Sequence, residues 1–453
     1  MNAVGATTRS AMGNTLSPFG RQRPVAYSSD PAKTRSRALH LWVFAVGLGS
    51  ATYLNLGMFL SFAEVLLLLT GGFALAKRAG YLSRPAFAAL LPMLFVMFLS
   101  VPLSEMVNGS ESWQFLRGIP RAFSFLFSFI VLLVVFLDDR ECIPPYLAGL
   151  SISQFVGLFY FKNGFSVWHE MNRGGTGEID WKTGYNYPFN TLVLFIALTQ
   201  YKRRPLLTIL GILTAAIINI VMGSRSPGLC MTIGAVLALI HYLRCTTPHF
   251  KLPRRVSIAM FLVVGMVVAG STAAAIYKYA ALAGWMSDQQ RDKFLSESQS
   301  KYGMIGASRG SILATALAIY DKPILGHGSW ALDTGNYTER ADEILERKRI
   351  GNRRSGRISF HSLLLGDWMQ WGIAFGVFWA WMLLRCIKYL VFGIQSAGAD
   401  TAFLGVMVSL LVWDIVFSPA GNRTATAAFV AIMFIAPYLQ PVNSPLARRT
   451  AHP

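Results

Sequence analysis

Three side chains in this sequence have the types and settings that phosphate binding and proton transfer need. Arg225 stands in MGSRSPG and Arg309 in GASRGS. In each, small residues flank one guanidinium, whose planar fork of donors suits a phosphate group. Gly223, Ser224, Ser226, Pro227 and Gly228 predict a tight turn with exposed N–H groups around Arg225. Arg309 stands at the start of a predicted helix over 308–320, and a helix N-terminus adds positive charge toward an anion. Two such arginines would suit a pyrophosphate. The third residue is His361, which follows the basic cluster Arg347, Lys348, Arg349, Arg353, Arg354 and Arg357. A neutral imidazole there could accept a proton near neutral pH. Each residue also has a bland reading, as a snorkelling arginine or an interfacial histidine. Their company on one predicted face favours a site.

Supporting residues surround these three. DKPILGHG sets Asp321, Pro323, Gly326 and Gly328 in a turn that ends the predicted helix. His327 in that turn is a rival base, and its glycine neighbours suggest a structural role. Arg353, Arg354 and Arg357, just before His361, are expected to support the site or line its acceptor side. Gly372 and Gly376 follow and would allow close helix approach.

The elements that must position these residues are membrane helices. Of 453 residues, 53% are hydrophobic and only 14% are charged. A soluble chain would carry roughly a quarter charged residues. Apolar runs recur near the roughly 20 residues that cross hydrocarbon as a helix, and the alternation of a membrane barrel is absent. The reading is all-α: a polytopic helical bundle of about twelve spans, near 39–55, 57–76, 86–104, 122–137, 145–161, 187–201, 206–222, 228–243, 256–277, 361–384, 400–417 and 424–440. Only a Tyr53-Leu54-Asn55 break separates the first two. Residues 1–38 form a basic tail without the apolar region of a signal peptide. Residues 39–440 form the membrane domain and 441–453 a second tail.

Charge predicts the orientation. Six cations against Asp30 alone mark the first tail. With that tail inside, the tails and inner loops carry 21 Lys and Arg. The short outer connections carry Arg117, Arg121, Arg225 and Arg423. The positive-inside rule therefore puts both termini in the cytoplasm. A large outer loop, 278–360, precedes the tenth helix and holds 13 basic and 9 acidic residues. The net charge of +19 fits inner loops facing an anionic leaflet, so no nucleic-acid partner is expected. Cys142, Cys230, Cys245 and Cys386 show no CxxC or Cys/His spacing, so neither a disulfide framework nor a metal site is expected. There is no nucleotide-binding P-loop. Glu64 and Asp414 fall within spans and read as polar packing or lipid-path residues, with a proton relay as an alternative.

These motifs, in this order, resemble the O-antigen ligases and related Wzy-type polysaccharide polymerases. The resemblance covers about 186–375 and is strongest over 303–376. The family pattern runs His, then Asn, Ser or Gln, nine residues, Gly, two residues, Gly. His361, Ser362 and Gly372 fit it, and the last glycine stands one residue later, at Gly376. Asp321, Pro323, Gly326 and Gly328 match a family turn, and Ser224-Arg225 another. The resemblance implies an inner-membrane enzyme with its site facing the periplasm. The donor would be a glycan on undecaprenyl pyrophosphate. The acceptor would be a growing glycan for a polymerase, or lipid A–core for a ligase. Polysaccharide export and chain-length proteins would be partners. It implies inverting transfer without metal or cofactor, Arg225 and Arg309 holding pyrophosphate and His361 acting as base. A transporter is the reading from another class. It would be expected to show repeat symmetry and broken midplane helices, whereas the reactive groups here gather at one face.

Overall fold

A computed structural model of the chain describes residues 31–55, 59–83, 85–160, 181–247, 310–345, 356–358, 360–393, 398–418 and 422–438, with single positions between 275 and 291. The ninth predicted span, Arg309, Arg353 and Arg354 lie outside the described residues.

The chain is all-α with membrane character. Among the described residues, five helices are long and apolar enough to cross a membrane. In chain order the main elements begin with α1 (Pro31–Gly49), a hairpin of β1 (Tyr53–Asn55) and β2 (Phe59–Ser61), and α2 (Phe62–Ala76). α3 (Pro85–Val107), α4 (Ser112–Asp138), a 3-10 turn (Arg140–Cys142) and α5 (Ile143–Tyr160) follow. Next come α6 (Asn186–Gln200), α7 (Pro205–Val221) and α8 (Arg225–Thr246). The last group is α9 (Gly310–Asp321), α10 (Tyr337–Ile344), α11 (Leu363–Trp371), α12 (Ile373–Lys388), α13 (Thr401–Phe417) and α14 (Arg423–Ile435).

Three sequence expectations change here. The break after the first span is an antiparallel hairpin, pairing Tyr53 with Ser61 and Asn55 with Phe59. Ser61 then starts α2 through a capping box: its hydroxyl accepts from the Glu64 N–H, and the Glu64 carboxylate accepts from the Ser61 N–H. The expected span 122–137 is a helix of 27 residues that starts at Ser112. The expected span 361–384 is two helices, because Gly372 adopts φ +86° between α11 and α12. An apolar run with scattered glycines looks continuous in sequence, but a positive φ cannot continue an α-helix.

Cross-bundle contacts define two ends. At one end Arg78 and Tyr81 hold Asp138 (2.7 and 3.0 Å), and His40 meets Asp139 (2.9 Å). At the other, Asn422 donates to the Ser50 carbonyl (2.9 Å), and Ser61 meets Thr424 (3.3 Å). A single apolar core, with Trp379, Tyr146, Phe129 and Phe136 among its largest buried side chains, fills the bundle between these ends. A smaller cluster joins α9, α10 and α11 through Ala314, Ala318, Tyr337, Ala341 and Met369.

Candidate active site

His361 is exposed and stands one residue before the cap of α11. Its neighbour Ser362 is buried and fixes it in place. The Ser362 hydroxyl accepts from the Leu365 N–H (3.1 Å) and donates to the Ile415 carbonyl of α13 (2.8 Å). The serine thus ties the backbone next to His361 to a specific turn of another helix.

The DKPILGHG turn docks onto the far end of the same short helix. The His327 and Gly328 N–H groups donate to the Met369 and Gln370 carbonyls (2.7 and 2.9 Å). The Trp368 indole donates to the Pro323 carbonyl (2.7 Å), and the Ile373 N–H to the Ile324 carbonyl (3.0 Å). Side chains cannot fit at this seam. At Gly326 a Cβ would meet the Met369 and Gln370 carbonyl oxygens at 2.6 and 2.8 Å. At Gly372 it would overlap the Ile324 carbonyl. The structure therefore brings Pro323, Gly326, Gly328 and Gly372 together. Gly376 serves the same corner and not an approach to a distant helix, since a Cβ there would strike the Trp368 ring.

Asp321 ends α9 and accepts from the Tyr337 hydroxyl (2.5 Å). Burial and that carboxylate push the phenol up to about 12. His327 is half-buried, its Nε2 2.8 Å from the Ala318 carbonyl and its ring against Tyr337. Burial, aided by Lys322, pushes its pKa down. The contact gives the neutral ring its Nε2–H tautomer and commits that nitrogen to the fold.

Arg225 is the first residue of α8. Only Gly223, at φ +85°, and Ser224 form the turn before it; Pro227 and Gly228 already belong to the helix, unlike the sequence expectation. Proline is tolerated in a first helical turn, where its missing N–H has no partner to lose. Gly228 lets α8 close on the Ala216 carbonyl of α7. The Ser224 hydroxyl is buried with no partner among the described residues.

Helix α13 acts as a ruler between Arg225 and His361. The Cys230 thiol donates to the Ser409 carbonyl (3.4 Å), and Gly234 abuts Val406, so α8 and α13 run antiparallel. Arg225 lies five residues before Cys230, about 7.5 Å along the axis. The same step along α13 from Ser409 reaches Asp414, next to Ile415, whose carbonyl holds Ser362. Arg225 and His361 thus share one level at one end of the bundle.

That end also holds an ionic array that sequence reasoning missed. Arg423 grips Glu64 with two nitrogens (2.7 and 2.9 Å), and Ser124 adds a third donor (2.9 Å). Glu64 is only 1% exposed. Arg121 lies within electrostatic reach of Asp367, Glu64 and Arg423, with its guanidinium 5.6 Å from the Trp330 and Trp371 rings. Asp367 accepts from the Trp379 indole (2.8 Å). No described residue hydrogen-bonds the Arg121 guanidinium. Buried Glu105 accepts from the Ser329 N–H (2.9 Å), and its second oxygen lacks a partner among the described residues. Arg357 pairs by backbone with Leu332 and sets its guanidinium 5.3 Å from Trp113. In sequence Arg121 and Arg423 looked like connection residues; the only available signal was their position against the first residues of apolar runs.

No protein-family model, curated protein or solved structure matches the chain. The functional reading therefore rests on the motifs and this geometry.

Proposed function

We propose that the chain is a membrane glycosyltransferase of the O-antigen ligase and polymerase type, joining exopolysaccharide or O-antigen repeat units. Its donor is a glycan on undecaprenyl pyrophosphate at the periplasmic face. The observation that carries this reading is the common level of Arg225 and His361, beside the docked turn and the Arg121 array. The reading includes about twelve spans with both termini cytoplasmic.

In the proposed step His361 takes the proton of an acceptor hydroxyl. The freed oxygen attacks the anomeric carbon from the face opposite the pyrophosphate. The bond from that carbon to the phosphate oxygen breaks, and lipid pyrophosphate leaves with the electron pair. Arg225 and Arg309 hold the leaving group, where charge grows as the bond breaks. Ionisable groups at membrane depth by default mark such a substrate path.

The test is transfer by purified protein supplied with lipid-linked donor. His361 is exposed, so His361→Ala should fold normally. It should lose at least about 10²-fold in rate while still binding donor, the lower range for a positioned base. Arg225→Ala should instead weaken donor binding, and Arg225→Lys should recover only part of it, lacking the planar fork. Wild-type rates in His361→Ala would exclude the base role.

A further inference from the structure

The opposite end of the bundle carries a second constellation. Helices α1 and α5 run parallel in close contact. A Cβ at Gly47 would overlap the Tyr146 carbonyl, and one at Gly149 the Phe44 carbonyl. One turn on, the Ala51 N–H donates to the Ser153 hydroxyl (3.1 Å). Gly47 with Gly149 and Ala51 with Ser153 both give an offset of 102 residues. Followed back down both helices, that offset sets His40 opposite Cys142. Asp139 lies three residues before Cys142, one helical turn away, and its Oδ1 caps the 3-10 turn by accepting from the Glu141 N–H (3.0 Å). Its Oδ2 lies 2.9 Å from His40 Nε2. The ligand atoms of His40, Asp139 and Cys142 all fall within 4.8 Å of one another.

We propose that His40, Asp139 and Cys142 bind one divalent transition ion of the zinc class. The donor set is one nitrogen, one oxygen and one sulfur, a borderline-soft combination that disfavours magnesium and calcium. Three protein ligands leave a fourth tetrahedral position for water. Zinc bonds of about 2.0 to 2.3 Å place ligand atoms about 3.3 to 3.6 Å apart, so the longest separation closes by about 1 Å and the 2.9 Å His40–Asp139 pair opens slightly. Binding replaces the His40–Asp139 hydrogen bond with two metal bonds and releases the thiol proton to solvent. The His40 and Asp139 side chains are 32% and 25% exposed, giving an entry path, while Cys142 forms the buried floor. The nearby Arg78 cation is held by Asp138 (2.7 Å), which offsets its repulsion of a metal. No local pattern in the sequence signals this grouping, because 99 residues separate His40 from Asp139. The ion would fasten the first helix to the α4–α5 turn, far from the proposed transfer site and independent of its chemistry.

A two-ligand competitor exists. The exposed Cys245 lies 3.7 Å from His241 Nε2, one helical turn away. The test uses the purified full chain in detergent, stripped of metal and titrated with Co²⁺, then Zn²⁺. A thiolate-to-cobalt charge-transfer band should saturate at one ion per chain, and it should persist in Cys245→Ser. It should vanish in Cys142→Ser. In His40→Ala, a substitution at the rim that folds even if loss of the buried thiol does not, Zn²⁺ affinity should fall at least about 100-fold, more than the range for second-shell losses. Zn²⁺ should raise the wild-type Tm and leave that of His40→Ala unchanged. A missing wild-type band, a band that survives Cys142→Ser, or one that disappears in Cys245→Ser would each overturn the proposal.

Discussion

Glu64 and Arg423 meet from positions 359 residues apart, and each is the other's main compensation for leaving water. Removing one partner of such a pair strands the other and costs about 3–5 kcal/mol. Glu64→Gln or Arg423→Met alone should therefore lower the Tm markedly in detergent. The double variant should recover most of the loss, because a neutral pair strands no charge. Equal Tm values for wild type and both single variants would show that water already solvates the array. His327 makes a different residue-scale statement. Its imidazole has a lowered pKa in the folded turn, so the unfolded turn binds more protons just below the ordinary value of about 6.5. Its contribution is complete above that value and falls as pH drops toward the folded pKa. Amide exchange at His327 and Gly328, corrected for intrinsic rates, should accelerate over that window. His327→Gln, which keeps a donor for the Ala318 carbonyl, should flatten the dependence.

At the scale of elements, Gly372 decides the architecture of the site. Its positive φ and the Ile324 carbonyl against it exclude a side chain. Gly372→Ala should cost at least about 1–3 kcal/mol of backbone strain and should separate the turn from α11. Gly211 is the control: it lies inside α7 with nothing within 4 Å of an added Cβ. Gly211→Ala should be neutral or stabilise by about 0.5–1 kcal/mol. Thermal unfolding of the two variants checks both. The contrast shows what the sequence can and cannot express. The helix expected over 308–320 is observed as Gly310–Asp321, because local periodicity and Lys322-Pro323 determine it. Helix α11 is not legible, since the residue that ends it is an ordinary glycine whose conformation is set by Ile324 and Leu325, far back in the chain. The turn motif and the His361 motif were each legible; that they dock on one another depends on backbone bonds that no local pattern encodes. Arg121 and Arg423 were missed for the same reason, their partners being side chains on other helices.

For the whole molecule, the two ends of the bundle make the proposed orientation testable. Thr338 and Arg203 are both exposed; one lies in α10 and the other in the α6–α7 connection. Cys245 is the exposed native thiol among the four, so the parent for labelling is Cys245→Ser. On that background Thr338→Cys should react with an impermeant reagent added to intact spheroplasts. Arg203→Cys should react only after the membrane is opened. The reverse pattern would put the His361 end in the cytoplasm and remove the periplasmic reading.

The seam between the DKPILGHG turn and α11 has a consequence for building chimeras. The last carbonyls of α11 accept from N–H groups more than forty residues earlier, so the turn finishes a helix that follows it in the chain. A replacement turn must keep glycine at position 326, because a side chain there would strike the Met369 and Gln370 carbonyls and push them off their donors. Residues 321–330 and 361–376 form one transplantable cassette, and α10 must travel with them, because Tyr337 bonds Asp321 and shares with Ala341 the apolar cluster that joins α9 and α11.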